Sequence, residues 1–180
     1  MGKGGSGEED LAVDGTLAAL VLGVSLADMG LNYCPTDCFG ARNTAPRWAL
    51  STGALLFQEE TDGAELYLRR DFGLLLGPFQ PSLGISVATG GATWIGAGVQ
   101  YTLEGPADFY LQGHVMPGAY FPAGGRDLGG SLQFRSGIEL GYEARSGLRI
   151  GLSFDHRSNA DILTYNPGLE TLQLRVSWRM

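Results

Sequence analysis

The sequence predicts an all-β protein, an eight-stranded antiparallel transmembrane β-barrel preceded by an N-terminal extension. Three observations carry this. From Pro46 onward the chain breaks into about eight short runs whose apolar residues recur every second position, separated by Gly, Pro or Asp. Charged residues make up 17% of the chain, below the roughly 25% of a typical soluble domain. Glycine supplies 29 of 180 residues, about twice the usual share. Low charge with alternation, rather than continuous greasiness, is how a membrane barrel differs in sequence from a membrane helix.

The predicted strands are 46–58, 63–76, 79–89, 92–103, 108–120, 131–144, 148–158 and 169–179. An even number of short strands joined by tight turns suits antiparallel hairpins and the smallest closed barrels. "TDGAE", "TGGAT", "EGPAD" and "ARSGL" read as turns, and "FPAGGRDLGGS" as a longer surface loop. No amphipathic helix is expected after residue 46. Alternation assigns the two faces. Leu148, Ile150, Leu152 and Phe154 share one, opposite Arg149, Gly151, Ser153 and Asp155. Leu132, Phe134, Ile138, Leu140 and Tyr142 oppose Gln133, Arg135, Gly137, Glu139 and Gly141.

A soluble lipocalin-like barrel would turn the apolar face inward around a ligand, whereas a membrane barrel turns it outward. The second face mixes glycines with charges able to pair, which suits a crowded polar interior. A soluble exterior would carry more lysine, and Lys3 is the single lysine here. These features favour the membrane reading.

Residues 1–45 form the extension and residues 46–180 the barrel domain. "MGKGGSGEED" reads as a flexible acidic lead. No uninterrupted apolar run reaches the 18 or more residues of a membrane helix. "TLAALVLGVSLADMG" has the core length of an export signal, but Glu8, Glu9 and Asp10 stand where such a signal carries Lys or Arg. Degenerate signal and structural segment, strand or helix, both stay open. Residues 29–45 read as a loop. Within it "CPTDC" sets Cys34 and Cys38 four apart. A disulfide there implies an oxidising compartment. A zinc site would need two more ligands, and His114 and His156 lie far off in sequence; unlinked thiols are the remaining alternative.

The net charge of −7 argues against a nucleic-acid partner, since little here would neutralise phosphates. The candidate chemistry lies in "SFDHRSNADILTYNPGLE", residues 153–170. His156 and Ser158 are two apart, so in a continuing strand both point to one side, the apolar one. Glu170 has the parity of Leu172, Leu174 and Val176 and points the same way. The two strands are consecutive and therefore expected as neighbours. Polar groups on a lipid-exposed face are costly, so three together call for a reason; strand ends at a solvated rim are the bland one. The chemical reason is a triad. Ser158 is the candidate nucleophile, His156 the base that takes its proton, and Glu170 the carboxylate that orients the imidazole. Asn159 and nearby backbone N–H groups are the candidate donors to a tetrahedral oxyanion. His114 is expected as a hydrogen-bonded interior histidine, and Asp155 is expected inward.

"DHRSNADILTYNPGLETLQL" resembles the C-terminal signature of outer-membrane lipid A 3-O-deacylases, the PagL type, often labelled acyloxyacyl hydrolases. That family carries His-x-Ser-Asn, then an Asn-Pro-Gly or Asn-Asp-Gly turn, then Glu. His156, Ser158 and Glu170 fall on its catalytic positions, Asn159 on its oxyanion residue, with the Ala160 N–H as second donor. "DLGGSLQFRSGIELGY" is similar to the preceding family strand, and its Phe134 matches an aromatic near the site. Arg157, between His and Ser, is charged, and its parity sends it inward. The resemblance covers residues 127–178 closely and runs more loosely back to about 46. It implies an eight-stranded barrel in the outer membrane of a Gram-negative bacterium, with its site on the outside wall open to lipid. It further implies hydrolysis of the ester-linked 3-hydroxyacyl chain at position 3 of lipid A, with no metal or cofactor. Lipid A, as lipopolysaccharide, and outer-membrane lipids are then the partners. A homodimer or a membrane-complex partner stays open, as does the alternative of a non-catalytic structural or partner-binding barrel of this family.

Overall fold

A computed structural model describes residues 16–58 and 60–180 of the chain; the acidic lead read from residues 1–10 lies outside the described residues. Among them the chain forms one α-helix, α1 (Thr16–Asp28), three short helical turns of other types, and ten strands. The strands are β1 (Ala41–Asn43), β2 (Arg47–Phe57), β3 (Glu60–Asp71), β4 (Leu74–Leu76), β5 (Phe79–Ala88), β6 (Thr93–Glu104), β7 (Phe109–Phe121), β8 (Leu132–Glu143), β9 (Arg149–Ser158) and β10 (Leu169–Arg179). Eight of them, β2, β3 and β5 to β10, pair antiparallel in the order β5-β3-β2-β10-β9-β8-β7-β6, and a β5–β6 pairing closes the ring. The predicted barrel and its strand count are observed, with most boundaries shifted by a residue or two.

Two departures concern the margin. The run expected as one strand over 63–76 ends at Asp71, and β4 leaves the barrel wall to pair with β1, inside the segment expected as loop. Gly73 and Gly77 flank β4, and Gly77 has φ +59° with its α-carbon against the Cys38 carbonyl, where a side chain would clash. Cys34 and Cys38 are joined by a disulfide. Of the conformations open for residues 11–30, the described part adopts a helix and not a strand, which fits an export signal and a structural segment alike. With one π-turn it runs Thr16–Tyr33, 18 residues, long and apolar enough by length and composition to cross a membrane. The sequence scan for an uninterrupted apolar run misses it because Asp28 and Asn32 break the run but not the helix.

The wall is inside-out relative to a soluble protein. Leu66, Leu83, Ile85, Ile95, Leu111, Leu140, Leu152 and Leu174 are exposed, whereas Arg69, Arg135, Arg157 and Arg175 are buried. That distribution is stable only where the surroundings are apolar. The buried charge is balanced: Glu65, Asp71, Glu139 and Asp155 offset those four arginines. Arg135 bridges Glu65 at 2.8 Å and Asp155 at 2.6 Å. Arg157 binds the other oxygen of Glu65 at 2.5 Å, Arg175 binds Glu139 at 2.6 Å, and Arg69 binds Asp71 at 2.9 Å. Asp155 points inward, as alternation requires. Charges taken out of water this far are tolerable only because each meets an opposite charge and further hydrogen bonds.

Glycine makes room for this interior. A β-carbon at Gly84 would fall 2.4 Å from the Tyr67 hydroxyl, and one at Gly137 2.3 Å from Asp155. Inward glycines beside large polar side chains thus account for part of the glycine excess. His114 is interior as expected, but it is not hydrogen-bonded. Both ring nitrogens are buried without a partner among the described residues, and Asp155 stands 3.8 Å from Nε2. The Asp155 oxygens are already taken by Ser153 and Arg135.

Arg135→Met takes from Asp155 its closest arginine and from Glu65 one of two, so it should destabilise the barrel by about 3–5 kcal/mol, the usual cost of breaking a buried ion pair from one side. The check is the temperature at which the protein loses its heat-modifiable gel shift; an unchanged temperature would contradict the account.

Candidate functional site

The site is set by the register of three strands. Glu170 of β10 lies directly opposite His156 of β9, and Ser136 of β8 lies opposite His156 on the other side. One step toward the loops, Phe134 of β8 faces Ser158 of β9. All five have outward parity, so the barrel wall presents a row Glu170–His156–Ser136 with Ser158 and Phe134 beside it. Arg157, between His156 and Ser158, points inward to Glu65, as parity predicts.

His156 Nδ1 stands 3.0 Å from Glu170 Oε1. An ionised carboxylate can only accept, so this contact places the ring proton on Nδ1 and leaves the Nε2 lone pair free. Nε2 is buried and has no hydrogen-bond partner among the described residues. The structure thus brings His156 and Glu170 together, while the Ser158 hydroxyl is a neighbour not hydrogen-bonded to the imidazole. Catalytic hydrogen bonds are often long without substrate and tighten when it binds.

Although these residues belong to the outward face, they are not open to the surroundings. His156 is 5% and Ser158 6% exposed, and the Glu170 side chain 23%. This corrects the expectation of an open site, and the loop 159–168 is part of the cause. Gly168, at φ +72°, brings its backbone so near that a β-carbon would lie 3.0 Å from His156 Cε1. This is the glycine of the Asn-Pro-Gly turn, and the turn needs it for both conformation and contact. Asn166, in the same turn, accepts from the Asn159 N–H at 2.9 Å and donates to Asp161 at 2.8 Å.

Asn159 behaves differently from the role expected of it. Its amide nitrogen donates to the carbonyls of Tyr165 at 2.8 Å and Leu128 at 3.2 Å, tying the loop to the segment after β7. Those donors are spent on architecture. Ala160, at φ +55°, follows it in the left-handed region, and its N–H has no hydrogen-bond partner among the described residues. Phe134 is half-buried beside Ser158. Ser136, 4% exposed, is the residue that reading from sequence missed. Its parity was visible, as a lone serine between Phe134 and Ile138, but its register against His156 was not. Cys34 and Cys38 lie in the extension, before the barrel, and no group of three or more His, Cys, Asp or Glu able to hold a metal occurs among the described residues.

Residues 95–179 match the family model described as PagL, lipid A 3-O-deacylase. Over 52 residues the chain is 40% identical to the lipid A deacylase PagL of Bordetella bronchiseptica, a stretch that is 29% of each chain. Its aligned part therefore spans under a third of that curated relative's length. The crystal structure of the outer membrane enzyme PagL superposes with a TM-score of 0.60 at 19% identity, covering 74% of this chain and 99% of the other. Neisserial surface protein A gives 0.53 at 11% identity, over 78% and 99%. A de novo designed transmembrane β-barrel gives 0.55 at 7%, over 77% and 98%. The fold is that of outer-membrane β-barrels, and the resemblance to the lipid A 3-O-deacylases stands over the C-terminal half, which contains every candidate site residue of the barrel.

If Gly168 shapes the site as its geometry indicates, Gly168→Ala should destabilise the protein by about 1–2 kcal/mol, the cost of a side chain in the left-handed region. It should also shift the His156 imidazole resonances in a spectrum of selectively labelled protein, whereas Leu174→Ala should leave them in place.

Proposed function

We propose that this barrel is a lipid A 3-O-deacylase of the outer membrane, with Ser158, His156 and Glu170 as its triad on the lipid-facing wall. The reading rests above all on the 3.0 Å contact between His156 Nδ1 and Glu170. That contact leaves Nε2 available as a base on the same face as Ser158. It occurs within the segment that matches the family.

The chemistry is acyl transfer. Ser158 Oγ attacks the carbonyl carbon of the ester-linked 3-hydroxyacyl chain while its proton passes to His156 Nε2. Glu170 holds the ring in the required tautomer and stabilises the imidazolium that results. The tetrahedral oxyanion takes the Ala160 N–H as a donor; Asn159 serves first to hold that peptide in place, because its own amide is engaged by Leu128 and Tyr165. Collapse expels the sugar hydroxyl, which receives the proton from His156, and water then releases the acyl group by the same steps in reverse.

The position of the row along the barrel supports this reading. One barrel end carries the connections 72–78, 105–108 and 144–148; the other carries the short β2–β3 and 89–92 turns together with the two longest connections, 122–131 and 159–168. Longer loops mark the extracellular end of such barrels, and Ser158 and Glu170 lie there. The loop above the site carries exposed Ile162, Leu163 and Tyr165, an apolar rim suited to the headgroup boundary.

The test is expression of wild type and variants in a Gram-negative host, with lipid A read by mass spectrometry. Wild type should remove one 3-hydroxyacyl group. Ser158→Ala and His156→Ala should each lose about a thousandfold or more in rate. Glu170→Ala should lose less than His156→Ala, because the imidazole keeps some function as a base. Identical lipid A in wild type and Ser158→Ala would favour the non-catalytic barrel, and a reversed order of Glu170 and His156 would refute the roles.

A further inference from the structure

The outward wall beside the catalytic row is not uniform. Leu152 of β9 and Leu172 of β10 are exposed, and Leu174 is 61% exposed. On β7 and β8 the equivalent band is covered: Gly113 is buried, and Val115 and Ile138 are half-buried. Yet the ends of those same strands, Leu111, Phe121 and Leu140, are exposed again. Something covers the middle of that wall, and it is α1.

The helix packs on β7 and β8. Its buried stripe is Leu17, Val21 and Ser25, spaced four apart on one face. Val21 fits over Gly113 so closely that a β-carbon there would lie 2.6 Å from Val21 Cγ1. The other face, Leu20, Val24 and Leu26, is apolar and exposed, and no charged residue occurs from Thr16 to Ala27. A helix apolar all round, with one face on an apolar wall, needs apolar surroundings on the other. Asp28 lies at the barrel end away from the site, near Tyr101 and Arg47. The helix therefore climbs from that end toward the row. Val115, which packs near Val21 and Ser25, is the direct cross-strand partner of Ser136.

We propose that α1 is a membrane-embedded flank of the catalytic site, which closes the β7–β8 side of the row and confines the substrate's acyl chain to the wall of β9, β10 and β2. An acyl chain attached at Ser158 has two directions along the wall. On one side α1 holds the band that a lipid tail would occupy. On the other, Leu152, Leu172, Leu174 and Leu50 form a continuous apolar strip. The substrate half of this inference rests on the deacylase reading; the docked helix does not.

Two measurements test it. In membranes, Val21→Cys with Gly113→Cys should form a disulfide, since the Val21 β-carbon lies 3.2 Å from where the Gly113 β-carbon would be, close to the separation a disulfide spans. Val21→Cys with Leu174→Cys, on the other side of the row and with Gly113 intact, should not. Peptide mass spectrometry of the mature protein reads both, and a mature chain lacking residues 16–28, or no 21–113 bond, overturns the proposal. Second, lipid A bearing a diazirine in its position-3 acyl chain, bound to the Ser158→Ala variant, should label β9, β10 or β2. Labels on Val115 or Ile138 overturn it. A wild type inert on lipid A would sink the deacylase reading and the substrate half with it, while the 21–113 bond would still establish the docked helix.

Discussion

The arginine–carboxylate lattice inside the barrel is the constraint from which the rest follows. An eight-stranded ring leaves an interior only wide enough for side chains. Here it is filled by Arg69, Arg135, Arg157 and Arg175 against Glu65, Asp71, Glu139 and Asp155. Arg135 ties Glu65 of β3 to Asp155 of β9, and Arg175 of β10 reaches Glu139 of β8. These bridges cross the lumen and couple strands that are not neighbours in the sheet. A slip of one residue in any strand would carry its charges to the apolar face and leave their partners alone. The interior therefore holds the register, and the register decides what stands together outside.

Outside, the same alternation that sends Asp155 and Arg157 inward sends His156 and Ser158 outward. The β9–β10 register sets Glu170 opposite His156, so a 3.0 Å contact needs no special backbone. The backbone departures cluster in the loop beyond. Ala160 and Asp161 take positive φ, and so does Gly168, next to the imidazole. Asn159 and Asn166 hold that loop by their amides. The wall presents the imidazole and its carboxylate, and a tied loop encloses them. His156 and Ser158 are far more buried than Leu152, Leu172 and Leu174 beside them, and electrostatic contacts gain strength where burial lowers the local dielectric.

The helix adds asymmetry to a wall that the strands alone would leave equivalent on both sides of the row. Gly113 is what allows it: a larger residue there would hold Val21, and with it the helix, off the strands. The Cys34–Cys38 disulfide and the β1–β4 pair follow the helix in sequence. They shape the return of the chain from the outside wall to Arg47, where the barrel begins.

Alternation in the sequence by itself determined the barrel, its strand count and which side chains face out, because side-chain direction in a strand depends only on position parity. It placed His156, Ser158, Glu170 and Phe134 on one face, and Asp155 and Arg157 on the other. Only the tertiary structure decided who stands beside whom. Parity is indifferent to register: strand order and chemistry make the Glu170–His156 pairing an expectation that the β9–β10 register meets, but nothing along the chain puts Ser136 on the far flank. The enclosure of the row and the engagement of the Asn159 amide with Leu128 and Tyr165 depend on contacts between segments distant in sequence. So does the packing of an apolar N-terminal segment on the barrel wall: its composition does not say what it packs on, and Gly113, more than eighty residues away, is where Val21 seats.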